Sequence, residues 1–155
     1  MLYFVFNVRV CTLIVHTLFI FYIMTNKEKQ QLLLKDLCAR LQYKPHCRVF
    51  KLNEDIKEND DILYGIIGDN VITLKSDEDE CLMYYQIKPY LRSMSNMTEE
   101  ELNELHNLLV EAANDDNRIA LLFTIELDYY NSHHLDYRGL IPMGLALVAP
   151  EGMYN

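Results

Sequence analysis

No tryptophan occurs in the 155 residues, and glycine and proline are scarce, at five and four. So few glycines leave no Gly-x-Gly-x-x-Gly, no Walker loop and no Gly-x-Ser-x-Gly elbow, which removes the usual phosphate cradles and the hydrolase nucleophile turn. Cys11, Cys38, Cys47 and Cys81 include no C-x-x-C pair, so neither a zinc ribbon nor a thioredoxin-like motif is supported. Cys38, Cys47 and Cys81 read as small buried hydrophobes. Nothing requires a disulfide, which suits a reducing cytoplasm. Positive charge is in short supply: 14 Lys and Arg face 23 Asp and Glu, a formal charge of −9. Nucleic-acid backbones and anionic membranes are bound mainly through Lys and Arg, so a direct backbone binder is not expected. The excess carboxylate instead keeps a small domain soluble. The acidic runs Asp77-Glu78-Asp79-Glu80 and Asn114–Asn117 lack the ordering of a calcium loop, and neither a metal nor a cofactor is expected.

The first 23 residues stand apart. They contain no acid and one base, Arg9, and the stretch from Val10 to Met24 is almost continuously apolar. That run is shorter than the roughly 20 residues a membrane-spanning helix needs. It also lacks the basic start and small-residue cleavage site of a signal peptide. A single-pass anchor remains one reading. The favoured reading is an upstream start, with translation beginning at Met24, because Thr25 and Glu28 make a capping box for a polar helix directly after it. The expected organisation is a hydrophobic leader over 1–23 and a single acidic domain over 24–155. Without Arg9 that domain has 13 bases against 23 acids, a charge of −10.

Periodicity predicts a first helix over Asn26–Leu41, with Leu33, Leu34, Leu37, Cys38 and Leu41 as its apolar stripe and Lys27, Glu28, Lys35 and Asp36 on the other side. Strands are predicted at Cys47–Leu52, Ile62–Ile67, Val71–Lys75 and Leu82–Ile87, with Asn53–Asp61 as an acidic loop and Gly68-Asp69-Asn70 as a hairpin turn. Lys88-Pro89 is expected to stop the last of these. Thr98 and Glu101 form a second capping box, and Leu102, Leu105, Leu108, Leu109 and Ala112 form the buried stripe of a second helix. Ile119–Tyr130 suits either a strand or a helix; length favours a helix for its later half, ending near His134. Gly139 is placed for a left-handed turn, Leu145–Val148 for an edge strand and Pro150–Asn155 for a tail. The fold class is α+β: a small antiparallel sheet or half-open barrel of about four strands packed with two to three helices.

The densest cluster of reactive groups is His133, His134, Asp136, Tyr137 and Arg138. An Asp can orient a His for general-base work. Adjacent histidines on a helix point roughly 100° apart, which disfavours a shared metal. The structural alternative is a helix cap: His133 or His134 meets the last carbonyls, and Arg138 pairs with Asp136 or an acid of the second helix. Lys88 and Arg92 with Tyr84, Tyr85 and Tyr90 make a basic-aromatic neighbourhood, read as packing because of the overall charge.

Three segments resemble pieces of a family of short proteins of unknown function, common in gut-bacterial genomes, their phages and mobile elements. They are Leu34-Lys35-Asp36-Leu37-Cys38-Ala39-Arg40-Leu41; Ile87-Lys88-Pro89-Tyr90-Leu91-Arg92-Ser93-Met94-Ser95 with Met97-Thr98-Glu99-Glu100-Glu101; and Asn131 to Ile141, continuing through Ala149-Pro150-Glu151-Gly152-Met153-Tyr154. The resemblance covers most of 24–155 and none of 1–23. It implies an accessory protein but transfers no mechanism. The expected function is binding of a protein partner through the second helix and the His133–Arg138 turn. The alternatives are a small enzyme or ligand-binding protein using His133, His134, Asp136 and Arg138, and an acidic decoy that mimics nucleic acid.

Overall fold

The computed structural model describes residues 24–50, 58–67, 70–73, 82–113 and 118–154. The hydrophobic leader, Cys81, the acidic run 77–80, most of the 68–70 turn and residues 114–117 lie outside the described residues.

Helix α1 spans Asn26–Arg40 and starts as its capping box dictates. The Thr25 hydroxyl accepts the Glu28 amide at 3.3 Å, and the Glu28 carboxylate accepts the Thr25 amide at 2.7 Å. A 3-10 turn over Leu41–Tyr43 follows, and Lys44 reverses the chain at φ 49° before Pro45. The strands are β1 (His46–Phe50), β2 (Glu58–Ile67), β3 (Asn70–Thr73), β4 (Leu82–Met83) and β5 (Ile87–Leu91). Helices α2 (Glu99–Ala112) and α3 (Arg118–Ser132) precede the short β6 (Leu147–Val148). The strands form one open sheet in the order β4-β3-β2-β1-β5-β6. All pairings are antiparallel except β5–β6, which is parallel. The α+β class holds, but the sheet is mixed rather than wholly antiparallel.

One face of the sheet packs under α1. Leu33 and Leu37 meet Cys47 and Val49 of β1, Leu63 of β2 and Ile87 and Leu91 of β5, with Leu140 and Ala146 joining from the C-terminal segment. Alternation along β1 turns Cys47 and Val49 inward and leaves His46, Arg48 and Phe50 half-buried on the opposite face.

Several expectations need correction. Residues 58–61 belong to β2, not to a loop, because β1 keeps pairing to its end, with Phe50 opposite Glu58 and Arg48 opposite Asp60. The run Leu82–Ile87 is broken by a 3-10 turn at Tyr84–Gln86, and Lys88-Pro89 lies inside β5. Strand β6 reaches β5 only at Tyr90 and Leu91. Pro89 therefore has one paired neighbour, and its missing N–H is tolerated as at an edge. On α1, Cys38 is exposed and Asp36 fully buried, the reverse of the expected faces. On α2 only Leu105 of the expected stripe is fully buried, while Leu102 and Leu108 are exposed. The ambiguous segment is helical throughout as α3. No helix among the described residues is long and apolar enough to cross a membrane.

The chain turns out of α3 through Asp136–Gly139, and Gly139 has φ +72°, as expected for a left-handed turn. A β-branched side chain is strained there, so Gly139→Val is expected to lower stability by about 1–2 kcal/mol. Urea denaturation checks this; an unchanged midpoint contradicts the strained turn.

Candidate functional site

Helix α1 buries two stripes. Leu33 and Leu37 face the sheet; one turn apart beside them, Asp36 and Arg40 face the segment after α3, and both are fully buried. The Arg40 guanidinium forks onto the Asp36 carboxylate, with Nε–Oδ2 at 2.8 Å and Nη2–Oδ1 at 3.1 Å. Its remaining donors reach the Leu135 carbonyl at 2.7 Å and the Tyr130 carbonyl at 3.3 Å. The Tyr130 carbonyl lies in the last turn of α3, and the Leu135 carbonyl lies just beyond the helix end. Arg138 adds a second cation: its Nε lies 3.2 Å from Asp36 Oδ1, close enough to pair charge although not aligned as a hydrogen bond. Arg138 therefore pairs with Asp36, not with Asp136 or an acid of α2. The Tyr137 ring sits by both guanidinium groups, 5.4 Å from Arg40 and 4.8 Å from Arg138, and its hydroxyl donates to Asn131 at 3.1 Å.

Helix α3 ends in a Schellman motif. The Leu135 amide donates to the Tyr130 carbonyl, the His134 amide donates to the Asn131 carbonyl, and His134 takes the left-handed position at φ 53° that glycine usually fills. His133 lies flat on Tyr129, with ring centroids 4.0 Å apart, and its Nδ1 is 2.9 Å from the Tyr129 carbonyl. The carbonyl only accepts, so Nδ1 carries the proton. Here a histidine does meet a late helix carbonyl, as the cap reading expects.

His134 is buried and stacks on Tyr154, with centroids 3.8 Å apart, and its Nδ1 has no hydrogen-bond partner among the described residues. Burial, with the positive charge of Arg40 next in weight, pushes its pKa down to about 4. Residues 150–154, expected as part of a tail, are thus held against the sheet. The Tyr154 hydroxyl donates to the Tyr90 carbonyl at 2.8 Å and accepts the His46 amide at 3.1 Å. This bridge stands one step past the last paired residues of β1 and β5, Cys47 and Pro89.

Asp136 is buried, and both its carboxylate oxygens are used as a turn cap, accepting the Leu140 amide at 2.7 Å and the Ile141 amide at 2.9 Å. Burial raises its pKa despite those two bonds. Its backbone clasps β5: the Arg92 amide donates to the His134 carbonyl and the Asp136 amide donates to the Arg92 carbonyl, each at 2.8 Å. Arg92 in turn holds the start of α2 through a two-pronged pair with Glu101 at 2.6 and 2.9 Å.

The five residues singled out from the sequence thus converge, but around partners outside that cluster: Asp36, Arg40, His46 and Tyr154, which the sequence did not flag as a site, and Arg92, which it read as packing. No hydrogen bond joins Asp136 to either histidine among the described residues, and the geometry serves capping and charge pairing. No group of three or more His, Cys, Asp and Glu side chains among the described residues is placed to hold a metal. No protein-family model, curated protein or solved structure matches this chain.

Removing one partner of a buried pair leaves an uncompensated charge, so Arg40→Met is expected to cost about 3–5 kcal/mol. In Asp36→Leu with Arg40→Met much of that loss is recovered. Equal losses in the two variants, measured by urea denaturation, contradict the pair's burial.

An unfolded histidine takes its proton near pH 6.5, whereas folded His134 takes it only near 4. Between those values the unfolded chain binds a proton the folded chain refuses. The associated stability is full above 6.5 and falls by about 3 kcal/mol as the pH drops to 4. His134→Asn keeps a residue tolerant of positive φ and removes the titration. Its stability should vary less over this window than that of the native chain, and identical pH profiles exclude His134 as the source.

Proposed function

We propose that the chain is a small cytoplasmic accessory protein, of the kind carried by phages and mobile elements, that works by binding a protein partner through the α2–α3 pair. The observation that carries this is an uncovered apolar face. On α3, Ala120, Phe123 and Leu127 recur at helical spacing and are all exposed, Phe123 by 52 % and Leu127 by 43 %. On α2, Leu102, Leu108 and Val110 are exposed as well, spread around the helix rather than along one side. Large apolar side chains grouped on one helix face, as on α3, are what a binding surface offers, whereas scattered single ones need no account.

Charge states the partner's chemistry. Exposed Glu99, Glu100, Glu104 and Glu111 lie along α2, with exposed Asp128 on α3. The fitting partner presents apolar anchors flanked by Lys or Arg, as an amphipathic basic helix does. The His133–Arg138 turn supports this surface from behind, since it fixes the end of α3. The resemblance to phage and mobile-element proteins is consistent with such a role, and the lack of disulfides among the described cysteines suits the cytoplasm.

The test is affinity purification from the native host with the full chain and with Phe123→Asp, Leu127→Asp. Both side chains are exposed, so the variant should keep its circular dichroism and lose the bound protein. The reading also expects release of that protein at high salt. Retention of the same protein by both forms overturns it.

A further inference from the structure

The sheet face turned away from α1 carries a row of cations set against aromatic rings. Lys44 Nζ lies 5.9 Å from the Tyr64 ring centroid, Arg48 Cζ 5.6 Å from Tyr90, and Lys88 Nζ 5.4 Å from Phe50. Strand register aligns them: Arg48 lies opposite Asp60 on β2 and Lys88 on β5, and Lys44 and Phe50 bracket β1. Along β2, from Tyr64 to Glu58 opposite Phe50, the row runs about 20 Å at the rise of a strand. Tyr64 is 60 % exposed, and neither lysine has an ion-pair partner among the described residues. The central acid, Asp60, is paired with Arg48 at 2.9 Å and accepts the Tyr90 hydroxyl at 2.8 Å.

We propose that this face binds single-stranded nucleic acid. Bases stack on Tyr64 and Phe50, and phosphates take the ammonium groups of Lys44 and Lys88 that now lie over those rings. Each nucleotide presents a flat π face and one negative charge, and each lysine–ring pair presents the complement of both. An acidic peptide uses the lysines and leaves the rings idle. A duplex keeps its base faces stacked inside. The formal charge of −9 is an average over the chain. Most exposed acids of the described residues lie on α2 and α3, while the acids that β2 brings to this row are Asp60, paired with Arg48, and Glu58, opposite Phe50 at its end. That charge makes binding weak at physiological salt, and two lysine–phosphate contacts give a log–log salt slope of roughly −1.4, at 0.7 per phosphate for a single strand.

The experiment is fluorescence anisotropy of labelled oligouridine and oligothymidine with the full chain at low and physiological salt, with duplex DNA and poly-glutamate as competitors. Expected are saturable binding at low salt, competition by neither the duplex nor the polypeptide, and a loss of about tenfold for Tyr64→Ala, the order of one stacked base. Lys44→Ala with Lys88→Ala should weaken binding and flatten the salt slope. Exposed Tyr64 and Lys44 are not part of the core, and circular dichroism confirms the fold of each variant. The proposal is overturned by no binding at low salt, by Tyr64→Ala binding as tightly as the native chain, or by full competition from poly-glutamate, which would make the face a site for acidic protein segments.

Discussion

Two oppositely charged side chains, Asp36 and Arg40, sit out of contact with water one helical turn apart. Desolvating such groups costs several kcal/mol per ion, and the arrangement persists only where every donor and lone pair is answered. Arg40 meets that demand with carbonyls 90 and 95 residues further along the chain. The Tyr130 carbonyl lies in the last turn of α3 and the Leu135 carbonyl just past it; each also accepts one backbone amide, so the guanidinium finds its acceptors at the helix end and adds a second bond to each. A lysine could not do this, because the planar fork of arginine supplies the several directed donors required. Placing Arg40 fixes where α3 stops, which puts His134 in its left-handed position and Asp136 over the next turn. It also places the clasp on Arg92, and through Glu101 the start of α2.

How much of this was legible in the sequence depended on the range of each interaction. The capping boxes of α1 and α2 close within three residues and were readable to the residue, as was the positive φ of Gly139. The helical state of Ile119–Tyr130 was obscured because α3 is apolar on several sides. One side meets α2 and the body of the protein, while Phe123 and Leu127 meet neither. The burial of Asp36 was hidden for a different reason. An Asp and an Arg four residues apart look the same in sequence whether the pair is solvated or sealed in, and what seals it lies beyond residue 130. Pro89 misled because the local rule against proline in strands ignores that β6 begins to pair only one residue later.

The segment from Asn131 to Gly139 reads as chemistry because it holds imidazoles, a carboxylate, a phenol and a guanidinium in nine residues. Its density has an architectural account: a helix end, a sharp turn and a strand edge all have to be satisfied there at once, and polar side chains satisfy them. The two surfaces left open differ in character. The helical pair is apolar and rimmed with carboxylate, whereas the outward sheet face sets lysine against aromatic rings. A net charge close to ten units on the acidic side therefore conceals opposite local chemistries, which composition alone could not separate.

The Tyr154 phenol has a consequence for assembly. Its hydroxyl splices β1 to β5 by joining the peptide groups of His46 and Tyr90, 108 and 64 residues earlier in the chain. During synthesis the central strands emerge long before the residue that finishes their seam. Without that phenol the amide of His46 and the carbonyl of Tyr90 lose the hydroxyl that joins them, and the imidazole of His134 loses the ring it lies against. One side chain far along the chain thus ties two strands and a helix end together.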